Sequence, residues 1–341
     1  MLEKLCNLNG VSGCEDEVRE FIKSLIEPCC DEIKTDKIGN LYAFKKGKSS
    51  AKTLMLCAHM DEVGFIVKNI TDEGYLKFAA VGGIDDRILL GQPVTVCENG
   101  VKGVIGIKAI HLTTKAERGN VVKESEMYID IGAKNKEEAE KYVKRGDYIA
   151  FDSKYEEFGE TKIKAKALDD RVGCAVLADL LKTGEFYYDT WVCFTVQEEV
   201  GLRGAAIAGE MIKPDFAIIV EGTTCSDVYG AKPHEYVTVQ GDGAALSVIE
   251  RSSRGDIDFV RFIKNTADEN GIPCQFKRTT AGGNDAGNIQ IAGAGVKTAA
   301  IAVPTRYLHS PVCVIDKRDF ESIKEILKIV IGKDLSDIWS Y

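Results

Sequence analysis

Gln197, Glu198 and Glu199 follow directly on the apolar run 192–196, so two carboxylates stand at the end of a segment built like a strand buried on both faces. A partly buried carboxylate must find a partner or a metal, because leaving its charge uncompensated is costly. The pattern recurs along the chain. His59, Asp61 and Glu62 close the run 53–58, Glu221 closes FAIIVEG at 216–222, His309 follows the run 297–303, and Asp169 with Asp170 opens a helix. Ligands of open α/β sheets gather at the carboxyl ends of the strands, which would bring these side chains to one edge. Two histidines and three carboxylates are what two zinc-like ions sharing a bridging carboxylate require, with positions left for water and substrate. A sixth acid is then free to act as general base. Imidazole and carboxylate without thiolate suit Zn²⁺, Co²⁺ or Mn²⁺, and Asp61, two residues past His59, is placed to orient that imidazole. Singly, each residue has a plainer reading: a structural histidine, a helix cap at Asp169 and Asp170, a solvated strand end at Glu198 and Glu199. Their joint placement argues against it.

The elements that must position these residues alternate. Ser12 and Glu15 form a capping box ahead of Val18, Phe21, Ile22, Leu25 and Ile26, predicting an amphipathic helix that ends near Pro28. Short strands are expected at 41–44 and 53–58. From about 71 to 152 the texture changes to short alternating segments separated by glycines, with Asn99-Gly100 reading as a type I′ hairpin turn and only 134–143 as helical. After residue 164 the α/β rhythm returns, with helices at 171–181, 204–210, 256–270 and 320–330 alternating with strands to 196, at 216–222 and at 297–303. Gly271 and Pro273 stop the third of these helices. The fold class is α/β: a mainly parallel sheet with helices on both faces, interrupted by a small all-β domain. Residues 1–68 and 162–341 form one discontinuous domain and 69–161 the insert.

A net charge of −9 and a pI near 5.2 argue against nucleic acid or an anionic membrane as the main partner, since both need a basic face. No stretch has the length of a membrane span, and residues 1–9 lack the apolar core of a signal peptide. The eleven cysteines are scattered, with no CxxC pair, which excludes a zinc knuckle and points to reduced thiols in a cytoplasmic protein.

HMDEVG at 59–64, ALDDRVG at 167–173, QEEVGLRGA at 197–205 and RYLHSP at 306–311 resemble the tetrahedral, or glutamyl, aminopeptidase family of co-catalytic metallopeptidases, some of whose members carry the label endoglucanase or FrvX-like. VSGCE at 11–15, GGIDDRILLGQPV at 82–94 and AGGNDAGNIQ at 281–290 are similar to further stretches of that family. The resemblance implies that His59 and Glu221 bind one ion, that Asp169 bridges both, and that Glu199 and His309 complete the second. It makes Glu198 the general base and Asp61 the support for His59. The family usually has aspartate in place of Glu221, so this site departs from the pattern by one methylene. The resemblance further implies that the insert is a barrel-like dimerisation domain. It also implies Zn²⁺ or Co²⁺ as the pair of ions, short peptides as substrates, and homo-oligomers in which dimers build hollow dodecamers.

Other readings compete. A dinuclear amidohydrolase acting on N-acyl amino acids would use the same ligands, and an inactive scaffold subunit would keep the fold alone. A glycosidase using Glu198 and Glu199 is weaker, because neighbouring strand residues point to opposite faces. GLRGAAIAG at 201–209 lacks the spacing of a nucleotide loop and reads as close strand-to-helix packing. The AGGND turn at 281–285 is read either as part of the site or as a plain turn, His111 as a surface or interface residue, and His234 as a loop residue.

Overall fold

In the computed structural model, which describes residues 1–339, the strand Ser49–His59 lies inside an eight-stranded sheet and is buried from Leu54 onward. The strands run in the order Glu32–Thr35, Leu41–Lys45, Tyr188–Thr195, Ser49–His59, Phe216–Thr224, Lys297–Thr305, Ala244–Ser247, Cys274–Phe276. The four in the middle are mutually parallel, and their continuous apolar runs suit burial on both faces. The flanking strands Leu41–Lys45 and Ala244–Ser247 pair antiparallel with this parallel core. Register aligns the carboxyl ends: His59 is paired with Thr195, and Cys57 with Ile219, which sets Glu221 level with His59.

Helices cover both faces. Asp16–Ile26, Leu168–Thr183, Ile257–Glu269 and Lys317–Val330 bury their apolar sides in the larger core. On the other face Arg203–Ile212 and Ala286–Ile289 pack closely through Ala205, Ala208, Gly209 and Ala286; a Cβ on Gly209 would stand 2.9 Å from that of Ala292. Tight packing is therefore what the small residues of 201–209 provide. Asp256 caps its helix by accepting from Phe259 N, and Gly271, at φ +66°, follows its end.

The insert is a closed six-stranded barrel of Gly64–Ile70, Leu76–Val81, Tyr128–Asp130, Lys102–Gly106, Pro93–Val96 and Tyr148–Phe151, in that order round the wall. Its separate core is centred on Phe65, Phe78 and Phe151, with ring centroids 5.0 and 5.1 Å apart in edge-to-face contact. The first barrel strand straddles the boundary drawn at 68/69. At the far boundary, Glu156–Phe158 pairs with Lys162–Ala165, which pairs with Cys313–Asp316 of the main domain. Residues 340–341 of the segment 162–341 lie outside the described residues. Among those described, no helix is long and apolar enough to cross a membrane.

Some local expectations fail for identifiable reasons. The capping box is not formed: Ser12 donates to Asp61, Glu15 accepts from Gly13 N and Gln197 N, and the helix begins at Asp16. At the hairpin only Gly100 takes a positive φ, +72°, and a four-residue connection replaces the type I′ turn, with Val96 N bonded to Val101 O. The helix expected at 134–143 is confined to Lys136–Ala139, capped by Asn135. Glu32–Thr35, Ala244–Ser247 and Cys274–Phe276 are strands too short to show a period in the sequence.

Behind the carboxyl edge lies a buried charge cluster. Lys166 Nζ donates to both Glu62 oxygens at 2.6 and 2.8 Å and to Leu8 O at 2.7 Å. Arg171 lies 3.4 Å from Glu62 and donates to Met60 O and Leu5 O. These bonds join the N-terminal segment, the end of the His59 strand and the Asp169 helix. Glu62→Ala would leave two buried cations with no counter-charge. Urea denaturation is expected to show a loss of about 3–5 kcal/mol in stability.

Candidate metal centre

The central strands deliver their polar ends to one cleft. His59 Nδ1 lies 3.1 Å from the Asp61 carbonyl oxygen, which can only accept, so Nδ1 donates there and Nε2 is the nitrogen left to face inward. That Nε2 is 3.3 Å from Asp169 Oδ1 and 3.6 Å from Glu221 Oε2. His309, held at φ +56° after the Lys297–Thr305 strand, donates from Nδ1 to Gly83 O at 2.9 Å. Its Nε2 is 3.6 Å from Asp169 Oδ2 and 3.3 Å from Glu199 Oε2. Asp169 thus turns one oxygen to each imidazole. The ligand atoms of His59, Asp169 and Glu221 lie within 4.8 Å of one another, as do those of Asp169, Glu199 and His309, and of His59, Glu198 and Glu199.

Asp61 meets His59 Nδ1 with its carboxylate as well, and it also holds the neighbouring segment. Its Oδ1 accepts from Glu198 N at 3.0 Å, and its Oδ2 from Glu199 N at 3.1 Å and Ser12 Oγ at 2.5 Å. Its carboxylate is 3.4 Å from His59 Nδ1, farther than its own carbonyl. Asp61 therefore grips the backbone that carries Glu198 and Glu199, and Glu15 Oε1 accepts from Gln197 N at 3.2 Å beside it.

Electrostatics mark the cluster as one that wants cations. Burial pushes the Glu198 and Glu221 carboxyls well above the usual carboxylate range, against the opposing pull of His59. Burial likewise takes Glu199 up to about 7. Burial alone would lower His309, but Asp169 and Glu199 outweigh it and raise it to about 9. Protons here do the work of missing positive charge. Glu221 Oε1 is buried and has no hydrogen-bond partner, as expected of an oxygen reserved for a metal ion. The donor set fits a divalent-metal site.

The cleft encloses about 900 Å³ and is lined by His59, Asp169, Glu198, Glu199, Glu221 and His309 together with residues of 247–251 and 277–284. One contributor, Glu250, escaped the sequence reading, and two entered it only as a helix cap, Asp170, and as the end of the AGGND turn, Asp285. Asp170 accepts from His59 N at 3.2 Å and from Gly173 N at 2.9 Å, fixing the end of the strand from behind. Asp285, the last residue of the AGGND turn whose 281–284 line the cleft, is buried under the sheet edge and accepts from Thr195 Oγ1 at 2.5 Å. Glu250, buried in the cleft wall, holds Lys277, Asn284 and Ser247 at 2.5, 2.6 and 3.0 Å. No residue spacing announced Glu250. Arg251 lines the same wall with no carboxylate partner among the described residues. His111 and His234 are exposed in short 3₁₀ turns and take no part.

The M42 glutamyl aminopeptidase family pattern matches residues 39–326. The chain belongs to the M42 family. A putative aminopeptidase of Acetivibrio thermocellus is 42% identical over 96% of both chains. The lysyl aminopeptidase of Pyrococcus furiosus is 31% identical over 97% of this chain and 96% of its own. Among solved structures, a TET aminopeptidase from a marine sediment Thaumarchaeota archaeon superposes with a TM-score of 0.95 at 36% identity, covering 99% of this chain and 97% of that one. The TET1 peptidase of Pyrococcus horikoshii, described as assembling into a tetrahedron or a large octahedral shell, gives 0.88 at 34% identity over 98% of each. This M42 member is accordingly a hydrolase of the aminopeptidase kind, with a two-domain α/β fold.

If each imidazole anchors its own ion, removing one outer ligand should cost one ion. Calorimetric titration of the metal-stripped chain with Zn²⁺ is expected to give two binding events. Glu221→Ala should abolish the one at His59 and keep the other, while Asp169→Ala weakens both.

Proposed function

We propose that this chain removes N-terminal residues from short peptides, using a pair of divalent ions held by His59, Asp169, Glu221, Glu199 and His309. The observation that carries this reading is Asp169, which offers one oxygen to the His59 side and one to the His309 side, with Glu198 left beside them as an acid not needed as a ligand. The pair of ions, Zn²⁺, Co²⁺ or Mn²⁺, would supply Lewis acidity that makes a water nucleophilic near neutral pH and steadies the developing oxyanion.

The chain's own residues do the rest. Glu198 accepts the proton of the attacking water and returns it to the leaving amine. Asp61 keeps Glu198 in place through its backbone amide, and Ser12 and Glu15 hold that arrangement from behind. The Asp61 and Gly83 carbonyls fix the tautomers of His59 and His309, so that both Nε2 atoms remain donors of lone pairs. Assembly into a homo-oligomer built from dimers, as in the shell-forming relative, and residence in the cytoplasm complete the reading; the acidic surface offers nothing to nucleic acid.

The test is a panel of free and N-acylated aminoacyl and peptidyl substrates, assayed before and after chelation and with each metal restored. Cleavage confined to free N-termini, lost with chelator and regained with metal, is the expected result; turnover of acylated substrates alone would mean an N-acyl amidohydrolase, and none at all a scaffold. The panel also ranks N-terminal side chains against Arg251 and the Lys277–Glu250 pair. Glu198→Gln is expected to keep its metal while kcat falls by about 10²–10⁴-fold, measured at saturating peptide.

A further inference from the structure

RYLHSP at 306–311 brings more than His309 to the cleft. Arg306, which opens it, is where the chain leaves the strand Lys297–Thr305. Its backbone makes an antiparallel bridge with Val314: Arg306 N donates to Val314 O at 2.9 Å, and Val314 N to Arg306 O at 3.0 Å. Residues 306–314 therefore form a loop closed at its neck, and His309 rides on that loop. Tyr307 at φ +58° and His309 at φ +56° are both left-handed, a region that residues with side chains keep only when the surrounding structure holds them there. Tyr307 and Leu308 line the cleft.

The Arg306 side chain grips Asp227. Nε donates to Oδ1 at 2.7 Å and Nη2 to Oδ2 at 2.8 Å, a two-bond fork that fixes a guanidinium in direction as well as distance. Asp227 is itself held, its Oδ1 accepting from Cys225 Sγ at 2.8 Å and its Oδ2 from Gln240 N at 3.0 Å. Gln240 Nε2 in turn donates at 2.6 Å to Val314 O, the same carbonyl that accepts from Arg306 N. Arg306, Asp227, Gln240 and Val314 thus close a ring of hydrogen bonds around the neck of the His309 loop. Among the described residues Asp227 belongs to none of the groups that could hold an ion.

The outer ligands of the two ion positions are held differently. Glu221 lies within the strand Phe216–Thr224, in register with Ala302, so the sheet ladder itself fixes its backbone. His309 lies beyond the strand ends, where its loop has the neck and the Nδ1 bond to Gly83 O. We propose that Arg306 and Asp227 are positioning residues for the His309-side ion: their fork sets how the loop leaves the sheet, and so how His309 Nε2 approaches Asp169 and Glu199. The inference rests on the two-ion reading of the site and adds to it a pair that supplies no ligand.

The metal-stripped full chain is titrated with Zn²⁺ by calorimetry in two backgrounds that separate the ions, Glu221→Ala for the His309 side and His309→Ala for the His59 side. Arg306→Ala and Asp227→Asn are each expected to weaken the ion left in Glu221→Ala by about 10–100-fold and to leave the ion in His309→Ala unchanged. Removing both partners should cost no more than removing one, since either deletion already breaks the same fork. Arg306→Lys keeps the charge and offers a point in place of the fork, so it should weaken the same ion; it carries the test if the alanine variant does not fold, with thermal melting as the check. Unchanged affinity in the Glu221→Ala background would overturn the proposal. So would equal weakening in both backgrounds, the mark of a general loss of structure. A parent chain that binds no second ion, or a Glu221→Ala chain that keeps both, would remove the two-ion assignment and the proposal with it, before any substitution at 227 or 306 is made.

Discussion

Four carboxylates, Asp169, Glu198, Glu199 and Glu221, converge with two imidazoles at one sheet edge, and the repulsion among those acids is the constraint the rest of the structure answers. His59, Asp169 and Glu221 are all buried. In bulk water the acids would simply separate; here parallel register holds their strands side by side. The fold supplies rigidity and the site consumes it. Continuous apolar runs lock the central strands from both faces, so their ends cannot retreat from one another.

A second layer of charge makes the first tolerable. Asp61 and Asp170, both fully buried, accept backbone N–H groups rather than cations, and each pins a strand end that carries a ligand. Beyond them Glu62 is neutralised by Lys166 and Arg171. Acids that touch nothing reactive thus fix where the reactive acids stand, which is how preorganised sites obtain their accuracy.

Much of this was legible in the sequence, because both the strands and their polar ends follow simple rules. Apolar runs of five to seven residues marked the central strands, and an acid or histidine within six residues after each marked the edge. The change of texture after residue 71 marked the barrel. Glu250 was not legible, because it stands among polar residues and only tertiary placement takes it into the cleft wall, and Asp285 was legible only as the end of a turn with two readings. Ser12 and Glu15 misled for a related reason. Their spacing satisfies a local rule, yet Ser12 is taken by the distant, buried Asp61, and Glu15 by Gly13 N and the distant Gln197 N. For Asp61 sequence proximity pointed to the imidazole, which its carbonyl and carboxylate both approach, but not to the Glu198 and Glu199 amides beyond the end of the Tyr188–Thr195 strand.

The bond from His309 Nδ1 to Gly83 O has a consequence for how this architecture can vary. Gly83 follows the second barrel strand, Leu76–Val81, so a backbone atom of the insert sets the proton position on an imidazole of the main domain. The barrel is then no interchangeable cassette. A descendant that trimmed it, or a chimera that exchanged it for another small domain, would have to rebuild one carbonyl at the cleft before its chemistry could survive. Insertions and deletions are therefore free to accumulate at the barrel's far loops, while its near rim stays bound to the history of the active site.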